Sequence, residues 1–200
     1  MKIGILGGAL DSDFKRYRNK TYVREEIKLL DKLFLLLTNP GLFAIVNHRY
    51  GCWILSRYSS RDLRYYRYFF NLFYYMGKKI SIMWGKIDIL DGLQIGPGIF
   101  ISNKGGVFLG AESIGSNCTI DFAVTIGLDH NGHRTTLENN VVVGNNTVIY
   151  GKNIIRNGCV IGSNSVLTKS IPEKVYMKGN PAKLQKNNID SQDFICLNEY

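Results

Sequence analysis

Two of the chain's three histidines, His130 and His133, stand with Asp129 in the stretch GLDHNGHRTT. Imidazole changes charge near neutral pH and can accept the proton of a hydroxyl, which makes His130 the first candidate for a general base and His133 the second. Asp129 can orient a neighbouring ring through its other nitrogen. The H-x-x-H spacing also suits a metal, but a catalytic zinc takes three protein ligands, and the remaining histidine, His48, lies far upstream in a helical region. No metal site is expected. The plain alternative is that both histidines are polar loop residues. The four cysteines, Cys52, Cys118, Cys159 and Cys196, show no C-x-x-C and no paired spacing. Neither a disulfide framework nor a zinc knuckle is suggested, and a reducing cytoplasm fits.

A repeat must position these residues. Leu137, Val143, Ile149, Ile155, Ile161 and Leu167 recur at a strict period of six, and earlier runs keep the step at Ile114, Ile120, Ile126 and at Ile89, Ile95, Ile101. Neither a helix nor an alternating strand returns every sixth side chain alone to one interior face, whereas a triangular coil with three short sides does. Each aliphatic is then expected to stack on its equivalent one side further on. Gly144-Asn145-Asn146, Asn157-Gly158 and Gly162-Ser163-Asn164 supply corner residues that tolerate positive φ. Five extra residues interrupt the period between Ile126 and Leu137, so the histidine stretch must bulge from the coil as a loop.

Upstream of the repeat the texture differs. Residues 1–88 hold 16 Lys+Arg against 7 Asp+Glu, and residues 89–200 hold 9 of each, so the whole net charge of +9 lies in the first part. The stretch REEIKLLDKLFLLLTNPGLFAIVNHRYGCWIL predicts two or more helices broken at Asn39-Pro40-Gly41. From Arg57 to Met76, tyrosines and phenylalanines alternate with arginines. The simpler reading packs these aromatics on their own domain; the other is a helix at a membrane surface, where tyrosine and basic side chains suit the headgroup layer. RNA-binding proteins also use such residues, but no RNA-binding motif accompanies them, and no nucleic acid is expected. No stretch reaches the roughly 18 apolar residues of a membrane span. The opening MKIGILGGALDSD makes a poor signal peptide, and Gly4, Gly7 and Gly8 miss the spacing of a dinucleotide-binding loop. With 45% hydrophobic residues, a packed core is affordable.

The segment IGSNSVLTKSIPEKVYMKGNPAKL (Ile161 to Leu184) is similar to the closing coil of the serine acetyltransferase branch of the left-handed β-helix acyltransferases, in particular members associated with surface-polysaccharide synthesis. DFKRYRNK and LTNPGLFAIVNHRYGCWI resemble the helical N-terminal portion of that branch. The resemblance implies a mainly β fold with a helical N-terminal region, in which a left-handed parallel β-helix of hexapeptide repeats spans residues 89–184. A helical, basic and aromatic region at 1–88 precedes it, and a polar tail at 185–200 follows. The left hand comes from the resemblance alone, since parallel crossovers are otherwise right-handed.

The same resemblance implies a homotrimer with acetyl-CoA in grooves between adjacent coils, contacted by residues at Asn145, Ser163, Thr168, Lys169 and Lys183. Taken singly, Thr168, Lys169 and Lys183 would pass for solvated surface residues. Where relatives carry Asp-His or Gly-His in a coil, this chain reads GIFISNKGG, with Ser102-Asn103. Asparagine can position a hydroxyl but has no group that takes its proton near neutrality. The expectation is therefore a cytoplasmic O-acetyltransferase, with peripheral membrane contact as the further reading, acting on a saccharide or saccharide precursor with a histidine of the loop as base. Serine O-acetylation is the alternative acceptor reading, disfavoured by the loss of Asp-His, and a catalytically silent partner subunit is the alternative of another class.

Overall fold

The computed structural model describes residues 3–21, 29–58 and 64–195. Its first part is helical: α1 (Ile3–Thr21), α2 (Leu29–Thr38), α3 (Pro40–Arg57) and α4 (Arg64–Ile80). Gly4, Gly7 and Gly8 lie within α1, which rules out a phosphate-cradling loop there. Asn39 alone separates α2 from α3, in extended backbone at φ −119°. A proline disfavours helix in the residue before it and suits the first helical turn, so Asn39-Pro40 ends one helix and starts the next. The two axes bend by 108°. After α4 a π-helical turn (Ser81–Gly85) leads to Lys86, whose left-handed conformation (φ 50°) turns the chain into the first strand.

From Ile87 the chain winds as a parallel β-helix with three sheets. The first holds β1 (Ile87–Ile89), β4 (Val107–Leu109), β7 (Thr125–Gly127), β10 (Val148–Tyr150) and β13 (Val166–Leu167). The second holds β2 (Gln94–Ile95), β5 (Ser113–Ile114), β8 (Thr136–Leu137) and β11 (Ile154–Ile155). The third holds β3 (Phe100–Ile101), β6 (Thr119–Ile120), β9 (Val142–Val143), β12 (Val160–Ile161) and β14 (Val175–Lys178), with β15 (Lys183–Asn187) added antiparallel at its edge. A short helix, α5 (Gln192–Ile195), follows.

The six-residue period is the inward position of each side. The paired residues, however, are one full coil apart rather than one side apart: Ile126 with Ile149 and Leu167, Ile114 with Leu137 and Ile155, Ile120 with Val143 and Ile161. Each is at most 2% exposed, and burial of such a side chain contributes about 1.5–3 kcal/mol. The corners turn through Asn146 (φ 55°), Gly158 (φ 67°) and Asn164 (φ 58°), at the places the repeat indicates. The histidine loop is not the only irregularity. Leu109 takes the inward place eight residues after Ile101, so the corner at Asn103 to Gly106 holds two extra residues.

A parallel β-helix leaves its end coils with unpaired backbone groups, which in this fold must find other partners. Around the first coil, side chains from the helices supply them. Asp13 of α1 accepts the N–H groups of Gly98 (2.8 Å) and Ile99 (3.2 Å). Arg49 of α3 donates to the carbonyls of Ile95 (3.1 Å) and Gly96 (2.8 Å), and forks onto Asp13 at 2.6 and 3.1 Å. The Tyr17 hydroxyl accepts from Ile101 N–H (2.9 Å) and donates to its carbonyl (2.7 Å). His48 meets the Leu93 carbonyl at 2.8 Å, which places the ring proton on Nε2. At the other end β15 covers the edge of β14.

Asp13 and Arg49 are almost wholly buried. Desolvation pushes the Asp13 carboxyl above its ordinary value, against the opposing pull of Arg49 and the two N–H groups. A pair of this kind fixes geometry more than it adds net stability, but removing one partner strands the other charge. Asp13→Ala and Arg49→Ala are each expected to destabilise the fold by about 3–5 kcal/mol, read as a lowered midpoint in denaturant unfolding. A change below about 1 kcal/mol in both would show that the pair does not hold the helices to the coil.

Candidate functional site

The chain passes from the first sheet to the second at residues 90–93, 110–112, 128–135, 151–153 and 168–170, so these segments stack as one corner of the prism. Four of them have three or four residues; the histidine loop has eight. Its shape comes from Asp129. One carboxylate oxygen accepts the backbone N–H groups of Asn131 (2.9 Å) and His133 (2.8 Å), and the other accepts Nδ1–H of the His133 ring at 2.8 Å. Gly132, at φ 77°, lets the turn close so that its N–H reaches the Asp129 carbonyl (3.0 Å).

Desolvation acts to raise the Asp129 carboxyl, but the His133 ring and the N–H groups of His133 and Asn131 outweigh it and hold the group below its usual range. The carboxylate is therefore charged at neutral pH and fixes the proton of a neutral His133 on Nδ1, leaving the lone pair on Nε2. The ring is about half exposed, at 48%. That is the arrangement of an oriented base.

Asp129 is thus committed to His133 and not to His130. The His130 ring instead meets the Tyr150 hydroxyl through Nε2 at 3.2 Å, its plane edge-on to the phenol. Tyr150 lies beside Gly127 in register, where no side chain blocks its ring. The sequence held a signal for Tyr150: in the first sheet the slot after the inward aliphatic is glycine at Gly110 and Gly127, and an aromatic only here.

The residues matched to acyl-donor binding fall in three places. Thr168 and Lys169 are exposed and continue the corner of the histidine loop, two strands beyond β7 and hence about 10 Å along the axis. Asn145 and Ser163 occupy the corner between the third and first sheets on successive coils, where the serine hydroxyl bonds the asparagine side-chain oxygen. Lys183 is exposed on β15. The five do not lie on one corner or one strand of this chain. Next to the loop's exit, a groove of about 570 Å³ runs between α3 and the second sheet, bordered by His48, Cys52, Gln94, Ser113, Thr136 and Glu138. Among the described residues no group of three or more His, Cys, Asp or Glu is placed to hold a metal ion. Cys52, Cys118 and Cys159 are free thiols; Cys196 lies outside the described residues.

Asn103 has a structural task. Its amide donates to Asn39 Oδ1 at 2.5 Å and its carbonyl oxygen accepts Gly41 N–H at 3.4 Å, so it ties the enlarged coil corner to the α2–α3 break. Asn39 was missed in the sequence as anything but a helix breaker.

No protein-family model matches the chain. It is 31% identical over 156 residues to the serine acetyltransferase of Synechococcus elongatus, an alignment covering 76% of this chain and 59% of that protein. It is 29% identical over 175 residues to the serine acetyltransferase of Helicobacter pylori, covering 84% and 94%. The crystal structure of serine acetyltransferase in complex with coenzyme A from Brucella abortus superposes with a TM-score of 0.73 at 21% identity, covering 92% of this chain and 69% of that one. The fold is therefore the hexapeptide-repeat acyltransferase fold, a left-handed parallel β-helix behind a helical N-terminal region.

These relatives overturn the expectation of a saccharide acceptor and of a polysaccharide branch, because the curated proteins that align along the chain are serine acetyltransferases. The physical reason is that Asn103, whose place in the coil argued against serine, is occupied with holding the helices and is no guide to the acceptor. Asn103→Ala and Asn39→Ala should each cost about 1 kcal/mol, and the double variant should cost less than their sum by about 0.5 kcal/mol or more. Strict additivity in the unfolding midpoints would show that the two side chains are not partners.

Proposed function

We propose that the chain is an acetyl-CoA-dependent O-acetyltransferase whose acceptor is the hydroxyl of serine and whose general base is His133. The observation that carries the reading is the likeness to serine acetyltransferases along most of the chain, including 94% of the Helicobacter pylori protein's length. The choice of base rests on the pairing of Asp129 with His133 at 2.8 Å.

The chemistry then needs no covalent enzyme intermediate. Nε2 of His133 takes the hydroxyl proton as the serine oxygen bonds to the thioester carbonyl carbon. The carbon–sulfur bond breaks, and the departing thiolate takes the proton back from the imidazolium. Asp129 keeps the ring in the tautomer that can begin this cycle and stabilises it when charged. His130, held by Tyr150, stands on the same loop as a second polar group at the reaction corner.

The proposed assembly is a homotrimer. Thr168 with Lys169, Asn145 with Ser163, and Lys183 lie on different parts of one prism, and faces of two neighbouring chains together would bring such separated residues onto one acyl donor. Lys169 and Lys183 suit the phosphates of the donor as point charges.

Purified protein should release free coenzyme A from acetyl-CoA in the presence of L-serine and not with free sugars. His133→Asn should lower kcat by roughly 10²–10⁴ while leaving the KM for acetyl-CoA unchanged, and Asp129→Asn should lower kcat by about tenfold or more. Full turnover by His133→Asn would remove the base assignment, and sugar-dependent release without serine-dependent release would remove the acceptor. Lys169→Ala with Lys183→Ala should raise the KM for acetyl-CoA by about tenfold or more, the loss of roughly 1–3 kcal/mol of charge-assisted bonding. A stable monomer with full turnover in a solution mass measurement would overturn the trimer.

A further inference from the structure

α4 is amphipathic the wrong way round for a helix on the outside of a water-soluble body. Three of its polar side chains face the protein: Arg67 and Asn71 line a small cavity with His48 and Tyr74, and Lys78 pairs with Asp91 at 2.6 Å. Its apolar side chains face out. Tyr68, Phe69, Leu72, Phe73 and Met76 are each at least half exposed, and Met83 in the π-helical turn is 82% exposed. Their spacing of three and four residues lays them on one stripe, which from residue 65 to 83 is about 27 Å long at 1.5 Å per residue. The packing of aromatics on their own domain, the simpler expectation from the sequence, is met by Tyr74, at 7% exposure, but not by this stripe. The cause is that α4 packs against α3, and no other described element covers its outward face.

The composition of the stripe selects its occupant. A coiled-coil seam with a second helix takes Leu, Ile and Val, whereas Tyr65, Tyr66, Tyr68, Tyr75 and Trp84 set polar tips that need hydrogen-bond partners beside apolar rings. Tyrosine and tryptophan concentrate where hydrocarbon meets water, at the membrane interface. Residues 64–86 contain five Lys or Arg and no Asp or Glu, and Lys79 and Lys86 are exposed beside the end of the stripe that carries Met83. Among the described residues no single helix is long and apolar enough to cross a membrane; the bent pair of α2 and α3 meets that test by length and composition, but half of α3 is buried within the protein. The exposed stripe of α4 suits a contact along a surface.

We propose that the outward face of α4 and the π-helical turn seats the protein on an anionic membrane surface, with the aromatic stripe in the headgroup layer and the lysines on lipid phosphate. The β-helix would then stand over the membrane, held by the helices that cap its first coil. The proposal does not depend on the acceptor or on the base.

Co-sedimentation of the full chain with phosphatidylcholine vesicles, with and without phosphatidylglycerol, tests it at low and high salt. Binding is expected on the anionic vesicles, weakened by salt because exposed charges are screened over about 8 Å at physiological ionic strength. The double variant Phe69→Glu with Phe73→Glu should lower the bound fraction by about tenfold, with thermal unfolding and the turnover of soluble substrates unchanged. Absence of sedimentation with anionic vesicles would overturn the proposal. So would equal binding by the variant, or a variant that instead halves the particle mass, which would make the stripe a contact between copies. Because turnover is read separately, failure here is distinguishable from failure of the acetyl-transfer reading.

Discussion

The polar clasp of Asp13, Tyr17, His48 and Arg49 on the first coil is the interaction on which the arrangement rests. Strand pairing alone cannot end a β-helix, because the last coil always presents backbone groups with no neighbour. Here three of the four clasping groups act on both donors and acceptors or reach two residues at once, so four side chains satisfy seven backbone groups of that edge. The cost is a buried ion pair, whose desolvation shows in the raised Asp13 carboxyl. What it secures is a single placement of the helices relative to the prism, and with it the placement of α3 beside the second sheet, of the groove between them, and of α4 on the outside.

The histidine loop sits on the same framework by another route. A coil corner needs only three or four residues, so eight residues must find an internal reason to hold one shape. Asp129 provides it by accepting three hydrogen bonds from its own loop. The same carboxylate that folds the loop therefore sets the tautomer of His133. Structure and chemistry share one group, and the strands on either side, β7 and β8, carry its position into the regular lattice of the prism.

Much of this was legible in the sequence because the repeat is a direct image of the inward column: a residue such as Ile149 or Ile161 can be placed by counting. The bulge between Ile126 and Leu137 was legible for the same reason, since it breaks the count. The enlarged corner at Asn103 was not, because Val107 keeps the six-residue step from Ile101 while Leu109 holds the inward place. Clasp residues were illegible too. Asp13 and Arg49 are 36 residues apart, and nothing local distinguishes a buried charge in a helix from a solvated one. The substitution at Asn103 was visible and was read as chemistry, whereas its partner Asn39, far away in the chain, makes it a tie between layers. The preference of Asp129 for His133 over His130 depends on the turn at Gly132, which spacing does not encode.

The antiparallel β15 closes the third sheet against further parallel growth. Parallel coils have no natural terminus, and each new one offers the next the same template, so an uncovered end invites stacking of chain on chain without limit. Among the described strands β15 is the one that reverses direction, and all five of its residues, Lys183 and Lys186 among them, are exposed. A further coil would meet a strand running the wrong way and two positive charges. With the helices at the other end, where Tyr17 holds the backbone of Ile101, the third sheet offers no free parallel edge to a further coil at either end.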